Sequence, residues 1–174
     1  METNYTKIKK SKLGFRPKIN STFMIKGLYE THLFVSDIKK SIEFYKNVLK
    51  LEQCYYEEER KAGFFWIGKS KQAMLGLWEK PKENIDIRHF AFECETEFIL
   101  KESVNFLNSH NIKPRNFLNN GIEEPMVFAW MPALSIYFND PDGHSLEFIS
   151  ILDGESKPEN GILTYEKWLE LEQK

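Results

Sequence analysis

The sequence predicts an α+β protein made of two tandem βαβββ modules. A run of β-forming residues at 28–35 is followed by a helical pattern and then by three short strand candidates. After the polar linker at 79–84, the same order of elements begins again. The first strand of each unit also carries one histidine, His32 or His89, at matching predicted positions.

The first module is predicted at 27–80. Ser36 and Asp37 offer an N-cap for the helix after the first strand. Strands are predicted at 53–58, 64–68 and 73–78. The helix is amphipathic because apolar side chains recur on one face, at Ile38, Ile42, Tyr45 and Leu49.

The second module is predicted at 81–152. A strand at 86–93 precedes a helix capped by Thr96. Further strands are predicted at 113–117, 127–130, 134–139 and 145–151. The last two are joined by the turn Asn139-Asp-Pro-Asp-Gly143, which has Asp, Pro and Gly where a tight turn favours them.

Two terminal segments flank the modules. Residues 1–26 contain seven basic residues and one acidic residue, which indicates a solvated arm or an added edge strand, or else a basic patch for an acidic partner. Residues 153–174 read as a Gly- and Pro-containing linker and a helix capped by Thr164. The apolar stripe of that helix is expected to pack on its own domain or on a partner subunit.

Composition excludes several classes of protein. Hydrophobic residues make up 41% of the chain, enough for a folded core. The net charge of −2 argues against a nucleic-acid-binding surface, and no apolar run approaches the roughly 20 residues of a membrane span. Cys54 and Cys94 are too few for a disulfide framework, so we expect a cytoplasmic protein.

Strand alternation places both histidines on the face away from the helices. His32 shares that face with Glu30 and Phe34, and His89 shares it with Glu93. Either carboxylate could accept a hydrogen bond from a ligand or act as a general base, the alternative being a solvated strand-end acid.

Glu147 interrupts an otherwise apolar strand. A carboxylate buried there alone would be costly, so its position favours a cation partner. His144, in the turn before this strand, is expected to be solvent-exposed or to stabilise the turn.

Four segments resemble the glyoxalase/bleomycin-resistance/extradiol-dioxygenase group, the vicinal oxygen chelate superfamily. They are Glu30–Val35, Phe44-Tyr45, Ile87–Phe92 and the hairpin Tyr137–Phe148. The resemblance implies paired modules whose sheets form a cup. It also implies one divalent metal ion (Zn, Ni, Mn, Co or Fe(II)) held by His32, His89 and Glu147. Such an ion keeps open positions for a bidentate oxygen substrate.

Departures from the subfamilies leave the reaction open. Glyoxalase I enzymes have a fourth ligand, Glu, where aligning the last strands of the two modules puts Gly76. Methylmalonyl-CoA epimerases usually have Gln at the position of His89. Fosfomycin-resistance enzymes carry a basic residue soon after their glutamate, where this chain has Asp153, and many extradiol dioxygenases are much longer.

The expected function is metal-dependent catalysis on a small oxygenated substrate: isomerisation or lysis, addition of thiol or water, or ring cleavage. Phe34, Trp130 and Met131 would line the substrate pocket, unless they simply fill the core. The alternatives are an antibiotic-binding protein that uses the same cup without chemistry, and a small scaffold dimer. We expect a homodimer, and the cup could close within one chain or between two chains that exchange modules.

Overall fold

The computed structural model describes residues 25–173 and contains two mixed sheets of four and five strands with short helices. The predicted α+β class is confirmed. The basic arm predicted at 1–26 lies almost entirely outside the described residues. Within 25–173 the helices are all too short or too polar to cross a membrane.

In the first module the helix follows the first strand and precedes the second along the chain. Its elements are β1 (Glu30–Val35), α1 (Ile38–Glu43) with a wide π-type turn at Phe44–Val48, β2 (Glu52–Glu57), β3 (Ala62–Ile67) and β4 (Ala73–Glu79). The sheet order is β1-β4-β3-β2, in which only the β1–β4 pair is parallel. The Asp37 carboxylate begins α1 by accepting hydrogen bonds from two backbone N–H groups of the first turn.

The second module repeats this topology. It consists of β5 (His89–Glu93), α2 (Thr96–Lys101), α3 (Ser103–Ser109), β6 (Met126–Phe128), β7 (Ala133–Asn139) and β8 (Ser145–Ile151). Its order, β5-β8-β7-β6, matches β1-β4-β3-β2 strand for strand. A further strand, β9 (Ile162–Thr164), extends the edge beside β6 and leads into α4 (Tyr165–Glu172).

Two predictions about the strands need correction. The segment 113–117 is not a strand but makes a single bridge, between Arg115 and Tyr137. Pro114 has no N–H to donate, which prevents a longer ladder. The predicted linker at 153–161 leads into β9, which the sequence pattern did not indicate because it has only three residues.

One apolar core holds the two modules together. It joins the helix-covered faces of both sheets, and α4 adds the buried Trp168. The opposite faces of the sheets carry His32, His89 and Glu147 together with aromatic side chains such as Phe64 and Tyr137. The core residues of the strands include Leu33, Val35, Phe65, Leu75, Leu77, Leu134, Ile136, Phe138, Leu146 and Phe148.

The hairpin between β7 and β8 also connects the modules. The Tyr45 hydroxyl donates to Asp140 at 2.9 Å. His144 is fully buried rather than solvent-exposed: its Nδ1 accepts from Arg88 N at 3.0 Å, and its Nε2 donates to Phe34 O at 2.8 Å. Its imidazole therefore satisfies a backbone group from each module.

We expect His144→Ala to lower the free energy of unfolding by roughly 2–5 kcal/mol, because it removes a fully buried ring and leaves the part-buried Arg88 N–H and Phe34 carbonyl without their partner. Urea unfolding measures this change. His110→Ala is the control, since this exposed histidine sits at the end of α3. Equal stabilities of the two variants would contradict the connecting role of His144.

Candidate metal centre

The parallel pairing of β5 with β8 brings His89 and Glu147 together. His89 lies opposite Ser145, and Glu147 lies opposite Ala91, on the same face of the sheet. The Nε2 atom of His89 is 3.2 Å from Oε2 of Glu147. The family resemblance named these two side chains together, and the strand register makes them neighbours.

The hydrogen bonds around this pair favour a cation between its two members. His89 Nδ1 lies 2.9 Å from the Ser145 carbonyl, which can only accept, so Nδ1 carries the hydrogen and the Nε2 lone pair of a neutral ring faces Glu147. The Glu147 side chain is 4% exposed, and its Oε1 atom has no hydrogen-bond partner. An imidazole nitrogen and a buried carboxylate oxygen facing one another fit a divalent metal ion.

His32 lies on the other sheet. Its Nε2 atom is 2.7 Å from Oε1 of Glu30, and its ring packs against the Gly76 backbone, in the space that a side chain there would occupy. Across residues 25–173, no three His, Cys, Asp or Glu side chains are grouped closely enough to hold a metal ion. One chain therefore brings His89 and Glu147 together but does not bring His32 to them.

A cavity of about 460 Å³ adjoins His89 and Glu147. Two of the three residues predicted to line a substrate pocket, Trp130 and Met131, are in its wall. Phe34 is instead on β1, where the Lys80 ammonium lies 3.5 Å from the centre of its ring. The remaining walls are largely aromatic and come from Phe117, Phe128 and Tyr137.

Sequence reasoning missed two residues of this site. Tyr137 lies opposite Glu147 in the β7–β8 pair, and its ring centroid is 5.7 Å from that of His89. Burial, and then the negative charge of Glu147, raise the pKa of Tyr137, so it stays a neutral phenol. Arg115 donates from Nη2 to Ser145 Oγ at 2.6 Å and stacks 5.0 Å from the Tyr137 ring. Strand alternation could have identified Tyr137, whereas Arg115 depends on the isolated bridge.

The predicted catalytic carboxylates occupy different surroundings. Glu30 contacts His32, as described above. Glu93 is at the far end of β5 and lines a separate shallow pocket with Thr96 and Ser150. The adjacent Cys94 has its pKa raised to about 11 by burial and by Glu93 and Glu95, so its thiol stays protonated near neutral pH.

Comparison with known proteins identifies the family. The model of the Glyoxalase/Bleomycin resistance protein/Dioxygenase superfamily matches residues 27–148. The chain belongs to this superfamily.

Several known proteins resemble the chain along most of its length. Metallothiol transferase FosB of Staphylococcus saprophyticus is 34% identical over 133 residues, which cover 71% of this chain and 76% of FosB. The integron cassette protein HFX_CASS4, from the metagenome of the Halifax Harbour sewage outfall, is 33% identical with a TM-score of 0.62, covering 73% of this chain and 100% of the other. The fosfomycin resistance protein FosX of Listeria monocytogenes, solved with Mn(II) and sulfate, is 25% identical with a TM-score of 0.56, covering 74% and 93%.

We expect Glu147→Gln to be at least as stable as the parent in EDTA, because it removes a buried charge that has an unpartnered oxygen. With Mn(II) at 100 times its dissociation constant the parent should gain about 2.7 kcal/mol, and the variant much less. Urea unfolding with and without metal measures both effects, and Glu43→Gln, on the exposed face of α1, is the control. Equal stabilisation of parent and variant by Mn(II) would contradict a role for Glu147 in metal binding.

Proposed function

We propose that this protein is a divalent-metal-dependent enzyme in which His32, His89 and Glu147 hold the ion. The observation that carries the proposal is the buried Glu147 carboxylate, whose Oε1 atom has no partner and whose Oε2 atom faces His89 Nε2. A protein that only sequesters a drug has no need of this costly arrangement. Its relationship to a metallothiol transferase and to a resistance protein crystallised with Mn(II) also supports a metal-dependent enzyme.

The proposed site forms between two copies of the chain. His32 is on the four-stranded sheet, and His89 and Glu147 are on the five-stranded sheet, with their ligand-bearing faces outside the shared core. A second copy can supply its own His32 to the first copy's His89 and Glu147, and the two-fold symmetry of a homodimer then makes two equal sites. Of the two arrangements that the sequence left open, this proposal takes the one in which two chains share each site.

Among the possible reactions we favour addition of a thiol to an electrophilic carbon of a small oxygenated substrate such as an epoxide. The C–O bond of the ring breaks, a C–S bond forms, and the thiol proton ends on the new hydroxyl. The metal, when bound, supplies Lewis acidity toward the substrate oxygen. Neither Cys54 nor Cys94 lines the cavity, so in this proposal the thiol comes from a small co-substrate.

The residues around the ion have complementary tasks in this proposal. Trp130 and Met131 cover the apolar part of the substrate and exclude water. Arg115 offers a positive charge beside Ser145 to an anionic substituent. Arg115 would thus replace the basic residue that fosfomycin-resistance enzymes carry where this chain has Asp153.

Metal content and activity together test the proposal. Elemental analysis by inductively coupled plasma mass spectrometry should find a divalent ion in the purified parent protein. The variants His89→Ala and Glu147→Ala should lose it. The rate of thiol addition to fosfomycin should fall at least about 100-fold in both, since even partners of metal ligands cost 10–100-fold. Glu43→Ala is the matched control. Parent-like metal content in both variants would refute the proposed site.

A further inference from the structure

Each module presents one imidazole nitrogen beside one carboxylate oxygen. In module two, His89 Nε2 is 3.2 Å from Glu147 Oε2, and in module one, His32 Nε2 is 2.7 Å from Glu30 Oε1. Two neighbouring ligands of an ion with bonds of about 2.0–2.2 Å lie about 3 Å apart. Both pairs therefore have the spacing of adjacent ligands.

The strand registers show that the two pairs are related by the module repeat. Glu147 lies opposite Ala91, two residues after His89. Gly76, which aligns with Glu147, lies opposite His32, two residues after Glu30. The backbone position that matches His89 is therefore that of Glu30, rather than that of His32 as the sequence suggested.

Gly76 explains how His32 reaches this position. A Cβ atom at residue 76 would lie 2.6 Å from Cδ2 of His32, so the imidazole occupies the space that a side chain there would fill. Phe64 and Trp78 flank the ring, at centroid distances of 6.1 and 5.7 Å. The imidazole of His32 thus stands in module one where the carboxylate of Glu147 stands in module two.

We propose that Glu30 is a direct metal ligand, so that module one contributes a carboxylate and an imidazole just as module two does. This inference rests on the proposed function. It gives the ion two imidazoles and two carboxylates, which shifts its preference toward harder ions such as Mn(II) relative to a site with one carboxylate. It also assigns Glu30 a role distinct from that of a general base.

A cysteine introduced at position 30 tests direct ligation without using activity. A thiolate bound to Co(II) gives an intense near-ultraviolet charge-transfer band, so we expect Glu30→Cys to gain this band on titration with Co(II). The parent accounts for the contributions of Cys54 and Cys94. Glu43→Cys is the matched control, because Glu43 is an exposed carboxylate on α1 with no cysteine next to it in sequence, and it should give no band.

Affinity measurements complete the test. We expect Glu30→Gln to weaken Mn(II) binding at least about 10-fold by calorimetry and to lower the ratio of Mn(II) to Zn(II) affinity. Unchanged Mn(II) affinity in Glu30→Gln, or Co(II) binding by Glu30→Cys without the new band, would overturn the inference. His89→Ala separates this result from failure of the proposed function: if that variant also binds Mn(II) like the parent, the whole site is refuted rather than Glu30 alone.

Discussion

The burial of the Glu147 carboxylate is the constraint around which this site is built. One of its oxygens has no hydrogen-bond partner, and the other faces an imidazole nitrogen. A buried charge without compensation costs several kcal/mol, a large part of the 5–15 kcal/mol that typically stabilises a domain. A divalent cation would remove this penalty, so in the function that we propose the residue that weakens the fold without metal also gives the site its affinity for the ion.

The module repeat determines where the other ligands lie. Both sheets have the same strand order, and both use their helix-covered faces to form one core. His144 and the Tyr45–Asp140 hydrogen bond fix the modules to each other through that side. Within the described part of one chain, His32 is consequently not grouped with His89 and Glu147. We propose that a second copy supplies the missing half of the site.

The sequence predicted the architecture well because alternation and helical periodicity are local properties. The observed bounds of β8 agree with the predicted strand at 145–151, and Glu147 is buried in it as its apolar neighbours indicated. The proximity of His89 and Glu147, by contrast, does not follow from alternation alone, because it depends on the β5–β8 register.

The features that sequence reasoning missed depend on long-range geometry. Alternation assigns His32 to a face but does not say which sheet that face will meet. The match between Glu30 and His89 appears only when the β1–β4 and β5–β8 registers are compared. Arg115 reaches Ser145 because one isolated bridge holds its backbone beside Tyr137. His144 is buried because its imidazole binds two backbone groups, Arg88 N–H and Phe34 C=O, that come from different modules.

Assembly of the site from two copies can be measured directly with a heterodimer. One chain carries Glu30→Ala with His32→Ala and the other carries His89→Ala with Glu147→Ala, each with a different affinity tag, so that the mixed dimer can be purified. A shared site leaves one of the two centres intact, and the heterodimer should bind about half the metal of the parent dimer while both variant homodimers bind none. A heterodimer as empty as the homodimers would contradict a site formed between two copies.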